Sequence, residues 1–267
     1  MGRRSKYEPG AFSWVDLATT DPEAAKAFYR GLFGWEADDM PIPDGGVYSM
    51  MKLGDQTVTA ISAQQQQQRD AGIPPYWFNY VTVSSADEAA KAVKQAGGSV
   101  HMEPFDVMTA GRMAVVADPT GAMLGLWEPG DHIGATLVNA PGSLTWNELA
   151  TNDVPAARAF YEQVFGWKIE PVDTGDGPPY WMIGHEGGGG GRNGGMRELA
   201  PEQVEGAMPP HWLVYFAVES VDAAVEKAGT SGGSAMFGPM DLPAGRIAVL
   251  SDPQGAAFAV FEGEFDD

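Results

Sequence analysis

The chain has 267 residues, no cysteine and a formal net charge of −20 at pH 7. This length accommodates two domains of ordinary size, and the lack of cysteine excludes disulfides, thiolate metal sites and cysteine nucleophiles. The negative charge argues against nucleic acid or an anionic membrane as a partner. No apolar run approaches the roughly 20 residues of a membrane span, and no hydrophobic signal segment follows the basic N-terminus, so we expect a cytoplasmic protein.

The first predicted unit is a strand, a helix and further strands. Residues 11–19 alternate as a strand does, and Asp21 is suited to cap a helix that begins at Pro22 and ends near Gly34. Strand-like segments follow at Tyr48–Leu53 and Thr57–Ser62.

The second unit repeats this plan. Phe78–Val83 reads as a strand, Ser85 or a neighbour caps a helix that ends at Gly97-Gly98, and strands follow at Met113–Ala117 and Met123–Trp127. Between the two units, the glutamine run Gln64–Gln68 is predicted to be a solvated loop.

The whole plan then occurs a second time. Gly10–Trp35 and Gly142–Trp167 are identical at 14 of 26 positions, and a DPxGA motif recurs from Asp118 and from Asp252. We therefore predict domains at residues 10–130 and 143–263, joined by a linker at 131–142. The fold class is α+β, with four βαβββ modules that form curved mixed sheets with helices outside them. The glycine run Gly187–Gly191 lacks the context of a phosphate-binding loop and is predicted to be a flexible loop.

The repeated pattern T-x-D-x-x-x-A-x-x-FY-x-x-[LV]-FGW, with DPxGA before the last strand of each half, resembles the vicinal oxygen chelate superfamily. That superfamily includes glyoxalase I, bleomycin-resistance proteins and extradiol dioxygenases. The chain looks most like tandem glyoxalase-like proteins of unassigned activity, many of which carry a provisional hydroxylase label. The resemblance implies paired βαβββ modules that curl around a U-shaped cavity.

The resemblance also indicates where metal-dependent members carry their ligands. Those positions hold side chains that do not bind a divalent cation: Trp14, Phe78 and Gly125 in the first half, and Trp146, Leu213 and Ala259 in the second. The four histidines show no spacing typical of a metal site. We therefore expect neither a metal ion nor another cofactor.

Strand alternation predicts what lines each cavity instead. Flat apolar or cationic ligands stack against aromatic walls, although the same rings are equally able to fill the space as a solid core. The differences Phe78/Leu213 and Trp127/Phe261 predict cavities of unequal size. The predicted ligand-binding residues are Trp14, Tyr48, Phe78, Tyr80, Arg112 and Trp127 in the first half, and Trp146, Tyr180, Trp181, Leu213, Tyr215, Arg246 and Phe261 in the second.

Asp16 and Glu148 are the predicted catalytic residues, because each lies mid-strand on the face of the preceding tryptophan. Desolvation raises the pKa of such a carboxyl toward the range of a general acid or base, and the carboxylate is also able to neutralise a ligand amine. The alternative is a structural ion pair with Arg112 or Arg246, each of which otherwise lies at a turn.

Three functions follow. The first is a metal-free binding protein for an aromatic or apolar metabolite or natural product, similar to the bleomycin-resistance branch. The second is a metal-independent tailoring enzyme, hydroxylase-like or isomerase-like, that uses Asp16 or Glu148 as acid and base. The third is a glyoxalase-type lyase with a non-standard metal site. The expected partner is a small molecule, neither nucleic acid nor membrane, and the sequence leaves a homodimer open.

Overall fold

The computed structural model describes residues 2–42, 45–175, 177–185 and 192–264, apart from the side chain at 193. The predicted glycine loop at 187–191 lies outside the described residues. The described residues form two eight-stranded sheets, each of which belongs to one half of the chain, and one two-stranded sheet. The predicted α+β class and the four βαβββ modules are confirmed.

The first half contains two modules in which three strands follow each helix. A short helix, α2 (Gln66–Asp70), connects them where a loop was predicted, and the buried Gln64 before it donates to the backbone oxygens of Ile73 and Pro74. The elements are β2 (Phe12–Thr19), α1 (Pro22–Phe33), β3 (Glu36–Pro41), β4 (Val47–Leu53) and β5 (Gln56–Ala63), then β6 (Tyr76–Thr82), α3 (Ala86–Gln95), β7 (Ser99–Val107), β8 (Gly111–Ala117) and β9 (Met123–Pro129).

The second half has the same order, with α5 (Pro201–Glu205) in the place of α2. Its elements are β11 (Leu144–Thr151), α4 (Val154–Phe165), β12 (Lys168–Val172), β13 (Tyr180–Gly184) and β14 (Arg192–Glu198), then β15 (His211–Ala217), α6 (Val221–Thr230), β16 (Ser234–Leu242), β17 (Gly245–Ser251) and β18 (Ala257–Gly263).

The strands of each sheet are arranged around a central antiparallel pair. The first sheet has the order β3-β4-β5-β2-β6-β9-β8-β7, and the second has the order β12-β13-β14-β11-β15-β18-β17-β16. Within each sheet the first strand of a module pairs in parallel with the last strand of the same module. The antiparallel pairs β2–β6 and β11–β15 join the two modules of each half into one sheet.

The four long helices begin where the sequence predicts, because side chains cap them. Asp21 and Asp153 accept from the backbone N–H of Ala24 and Ala156, each 3.0 Å away, and Ser85 and Ser220 cap α3 and α6 in the same way. The helices α1 and α4 end at glycines in the left-handed conformation.

The FY and FGW motifs hold the two halves together. The hydroxyl of Tyr29 donates to Asp252 of the other half at 3.1 Å, and that of Tyr161 donates to Asp118 at 3.0 Å. The indole N–H of Trp35 donates to the backbone oxygen of Gly142 at 2.7 Å. These buried aromatic side chains lie between the two sheets, where α1 packs on α6 and α3 on α4, so the long helices cover the face of each sheet that is turned toward the other half and leave the opposite, concave face for a site.

The predicted linker is folded into this arrangement. Its strand β10 (Leu137–Val138) pairs with β1 (Gly2–Arg3), and Tyr7 donates to the backbone oxygen of Ala135 at 2.6 Å. Among the described residues, no helix combines the length and the hydrophobicity needed to cross a membrane.

Candidate functional site

The first candidate site centres on Asp16, on the face of the first sheet that the long helices do not cover. Its Oδ2 accepts from the hydroxyls of Tyr48 at 2.9 Å and Tyr80 at 3.2 Å, whereas its Oδ1 has only a long contact of 3.4 Å with Tyr80. The indole N–H of Trp14 donates to the Tyr48 hydroxyl at 3.0 Å. Strands β2, β4 and β6 thus bring four predicted residues together, and we call this group with Phe78 and Trp127 the first site face.

The carboxyl group of Asp16 has a raised pKa. Burial among aromatic rings raises the pKa of its carboxyl to about 6, although the donated hydrogen bonds from Tyr48 and Tyr80 act in the opposite direction. Asp16 remains partly exposed, whereas Trp14 and Tyr80 beside it are buried. A partly exposed carboxylate inside a buried aromatic frame is accessible to a ligand that enters from this face.

A histidine from the linker completes the first site face. The ring of His132 lies edge-on to Trp14 at 4.5 Å and to Trp127 at 5.7 Å, and the Trp127 indole donates to its backbone oxygen at 2.9 Å. Burial lowers the pKa of His132 to about 4, so the ring is neutral at pH 7, and its Nε2 has no hydrogen-bond partner among the described residues. The ring of Phe78 lies perpendicular to Tyr80 at 5.1 Å.

The second half builds the same frame around Glu148. The Trp146 indole donates to the Tyr180 hydroxyl at 3.0 Å, as in the first half. Tyr180 and Tyr215 also hydrogen-bond to Glu148, and the pKa of each phenol is raised by burial and by that carboxylate. Leu213, Tyr215 and Ala259 form an apolar cluster here, against which Trp146 and Phe261 pack. We call this cluster, together with Glu148 and Tyr180, the second site face.

One charge distinguishes the two sites. The Nε of Arg197 lies 2.9 Å from Glu148, whose side chain is buried. Arg197 is opposite Ala150 in the parallel pair of β11 and β14, and the corresponding residue opposite Ala18 is Ser62. The offset of 135 that relates Pro74 to Pro209 also relates Ser62 to Arg197, so the repeat itself contains a signal for this missed residue.

Three predicted lining residues lie elsewhere. Arg112 is bound to Asp87 and Asp106, and Arg246 to Asp222 and Asp241, so neither arginine pairs with Asp16 or Glu148. Both follow a turn at the start of the strand next to the sheet edge, and alternation directs them away from Trp127 and Phe261.

Trp181 is the third, because it neighbours Tyr180 in sequence and therefore points to the opposite face of β13. There it packs on the core beside α4 and lines a surface cleft of about 380 Å³. A second cleft of about 370 Å³ lies along α4 and β12. Both clefts are bordered by the exposed Arg158–Glu162 ion pair, and neither is lined by Asp16 or Glu148.

The repeat and its fold match a known family model. The glyoxalase/bleomycin resistance protein/dioxygenase superfamily model matches residues 11–126 and again residues 140–260. The chain belongs to this superfamily. The resemblance identified from the sequence is therefore confirmed.

The superfamily member described here has similar relatives along its whole length. A provisionally named glyoxylase, CFP32 from Mycobacterium tuberculosis (strain CDC 1551 / Oshkosh), is 46% identical over 98% of each chain. The anthracycline biosynthesis protein DnrV from Streptomyces peucetius is 40% identical over 97% of this chain and 95% of the relative.

Solved superfamily structures share the fold. The Mn(II)-bound glyoxalase from Novosphingobium aromaticivorans superposes with a TM-score of 0.65 at 16% identity, covering 100% of this chain and 86% of that one. The 2,3-dioxygenase LapB from Pseudomonas sp. KL28 also gives 0.65 at 17% identity, covering 96% and 93%.

The described residues at the two candidate sites of this superfamily member do not fit a metal of the kind that the Mn(II)-bound glyoxalase holds. No group of three or more His, Asp or Glu side chains with metal-binding geometry occurs in the described part of the chain. At Gly125, one of the expected ligand positions, a β-carbon would overlap the ring of Tyr80, so an aromatic ring occupies the space of a ligand side chain. Asp16 is left with phenol and indole neighbours, which are poor ligands for a divalent cation.

Proposed function

We propose that this protein binds an aromatic or apolar small molecule on its site faces, and that it does so without a metal ion. The observation that carries the proposal is the partly exposed Asp16 within a frame of aromatic rings from β2, β4, β6 and β9. Such a surface offers stacking to a flat ligand and one polar anchor for its orientation.

The relatives support an aromatic ligand. Two of them, from Streptomyces peucetius and Streptomyces sp. (strain C5), are named for anthracycline biosynthesis, and anthracyclines are fused-ring aromatic compounds. We propose residues 10–130 and 143–263 as the two ligand-binding domains, with 131–142 as the linker between them.

A second candidate function is a metal-independent enzyme that acts on the same kind of ligand. It is favoured by the pKa of about 6 at Asp16, since a general acid or base works best with a pKa near the ambient pH. Glu148 is less suited to this role, because Arg197 holds its carboxylate in an ion pair.

Tryptophan fluorescence tests the binding function, because Trp14, Trp127 and Trp146 lie on the site faces. We expect 2-(hydroxymethyl)anthraquinone, an uncharged fused-ring probe, to quench the fluorescence saturably in protein treated with a chelator. Phe78→Ala weakens this binding if the first site face is used. A folded protein that binds no member of a panel of uncharged fused-ring aromatics contradicts the proposal.

Two further measurements separate the alternatives. Mass spectrometry of the bound ligand after incubation detects conversion, and product that forms with the natural protein but not with Asp16→Asn establishes the enzyme. Elemental analysis of the purified protein tests the glyoxalase-type lyase. One equivalent of zinc, nickel, iron or manganese whose removal abolishes binding overturns the metal-free proposal.

A further inference from the structure

The second site already contains its own cation. Besides the contact with Glu148, the guanidinium of Arg197 donates to the backbone oxygen of Glu198 at 3.1 Å and to the side-chain oxygen of Gln203 at 2.9 Å. Helix α5, which carries Gln203, therefore holds the arginine in place. The carboxylate of the second site face is neutralised by the chain itself.

The first site has the same carboxylate without that cation. Ser62 replaces the arginine, and its position pairs with Tyr48 on β4 just as Arg197 pairs with Tyr180 on β13. None of the ion pairs among the described residues includes Asp16. Its hydrogen-bonding neighbours are two phenols, which share the charge but do not balance it.

Asp16 also has acceptor capacity to spare. A carboxylate offers about four lone-pair positions, and the two short hydrogen bonds both end on Oδ2. Oδ1 has only the 3.4 Å contact with Tyr80. A donor that arrives with a ligand therefore finds an acceptor atom available.

We propose that the first site face recognises a protonated amine on an aromatic ligand, and that this amine takes the place that Arg197 takes in the second half. The inference rests on the proposed binding function and adds the charge of the ligand to it. The ammonium group donates to Oδ1 of Asp16, and the rings of Trp14 and Tyr80 add cation–π attraction. The net charge of −20 favours the approach of a cation.

The same argument makes the second site face unsuitable for an amine. Arg197 already satisfies Glu148, and a second cation beside it meets repulsion. One amine therefore binds per chain. The duplicated frame thus supports one site that is open to a cation and one that is closed to it.

A charge series on one aromatic skeleton tests the inference. The probes are 2-(aminomethyl)anthraquinone, 2-(hydroxymethyl)anthraquinone and anthraquinone-2-carboxylate, measured by isothermal titration calorimetry with the full chain at pH 7.5. We expect the amine to bind about tenfold or more tightly than the alcohol, with one amine per chain, and the carboxylate to bind most weakly.

Variants assign the preference to Asp16. Asp16→Asn abolishes the advantage of the amine over the alcohol, whereas Asp55→Asn, which removes an exposed carboxylate in the turn before β5, leaves it unchanged. Ser62→Arg supplies the missing guanidinium and suppresses amine binding, and Ser62→Gln controls for side-chain length. Arg197→Ser opens the second site and gives two amines per chain.

The outcomes separate this inference from the proposed function. Equal affinity for the amine and the alcohol overturns the recognition of an amine and leaves aromatic binding intact. An amine preference that survives in Asp16→Asn also overturns the inference, because the cation is then held elsewhere. If no probe of any charge binds to folded protein, the proposed function itself fails.

Discussion

The two halves share a hydrogen-bonded frame and differ in charge. In each, a tryptophan donates to a tyrosine hydroxyl at 3.0 Å beside a carboxylate on the first strand of the half. The second half adds Arg197 to this frame, whereas the first half has Ser62. The comparison shows that the duplicated frame is retained, while a difference on the neighbouring strand gives Glu148 an internal cation and leaves Asp16 without one.

The largest expected change in the free energy of unfolding comes from the removal of Arg197, the cation of the second site. Arg197→Met leaves Glu148, which is only 8% exposed, as a buried charge without its partner. We expect the free energy of unfolding to fall by about 3 kcal/mol at pH 7, measured by urea denaturation. Arg158→Met, which breaks the exposed pair with Glu162, is the control and costs about 0.5 kcal/mol. Equal losses in the two variants contradict the special position of Arg197.

The next prediction concerns removal of the carboxylate charge, which we expect to change protein stability in opposite directions in the two halves. Because the pKa of Asp16 is raised from 3.8 to about 6, its contribution to stability is present below about pH 4 and is lost as the pH rises through 6. Tyr48, Tyr76 and Tyr80 face this carboxyl and stay protonated across the window, and His132 beyond Trp14 is neutral above about pH 4.

Asp16→Asn therefore stabilises the ligand-free protein above pH 6. A shift of roughly two pKa units corresponds to about 3 kcal/mol, and partial exposure of Asp16 lowers our expectation to about 2 kcal/mol. Glu148→Gln destabilises at pH 7, because it removes the partner of Arg197. Urea denaturation from pH 4 to pH 8 measures both. If the free energy of unfolding of Asp16→Asn equals that of the natural protein at every pH, the raised pKa of Asp16 is contradicted.

Local sequence signals predict the modules well. The caps Asp21 and Asp153 and the apolar alternation of β2 and β11 depend on neighbours in the chain, so they are visible without the fold. The βαβββ plan implies a strand directly after α3 and after α6, but the sequence does not locate β7 and β16, because their residues are mostly exposed on both faces and show no alternation of burial. Likewise, the glutamine run gives no local sign of α2, which is flanked by hydrogen bonds from Gln64 to the backbone oxygens of Ile73 and Pro74.

The site was predictable as far as alternation along a strand determines it. Trp14 and Asp16 share a face for that reason, and Trp181 is directed away from Tyr180 for the same reason. Arg197 and His132 were missed, because their contacts depend on the register between β11 and β14 and on the path of the linker. Such contacts join residues far apart in the chain, which no local pattern encodes.

A smaller change in stability is expected from a substitution that disturbs the packing of the first site face. Gly125→Ala places a β-carbon against the ring of Tyr80, so the ring, whose hydroxyl donates to Asp16, must shift. We expect a loss of about 1 to 2 kcal/mol in urea denaturation, together with a change in near-ultraviolet circular dichroism. Gly31→Ala in α1 is the matched control, since nothing lies near its added carbon, and it stabilises by about 0.5 kcal/mol. If the stability and the circular dichroism of Gly125→Ala match those of the natural protein, the space beside Gly125 does not fix the position of the Tyr80 ring.

The smallest effects test whether the halves differ outside their sites. Asp21 and Asp153 cap equivalent helices with hydrogen bonds of the same length, 3.0 Å, to the N–H three residues later. Each change to alanine is expected to cost about 1 kcal/mol, because one N–H at the start of the helix loses its acceptor. The two losses should agree and should add in the double variant, as urea denaturation measures. A loss at Asp153 more than twice that at Asp21 locates further divergence in the frame itself, and the charge at the site is then only one of the differences between the halves.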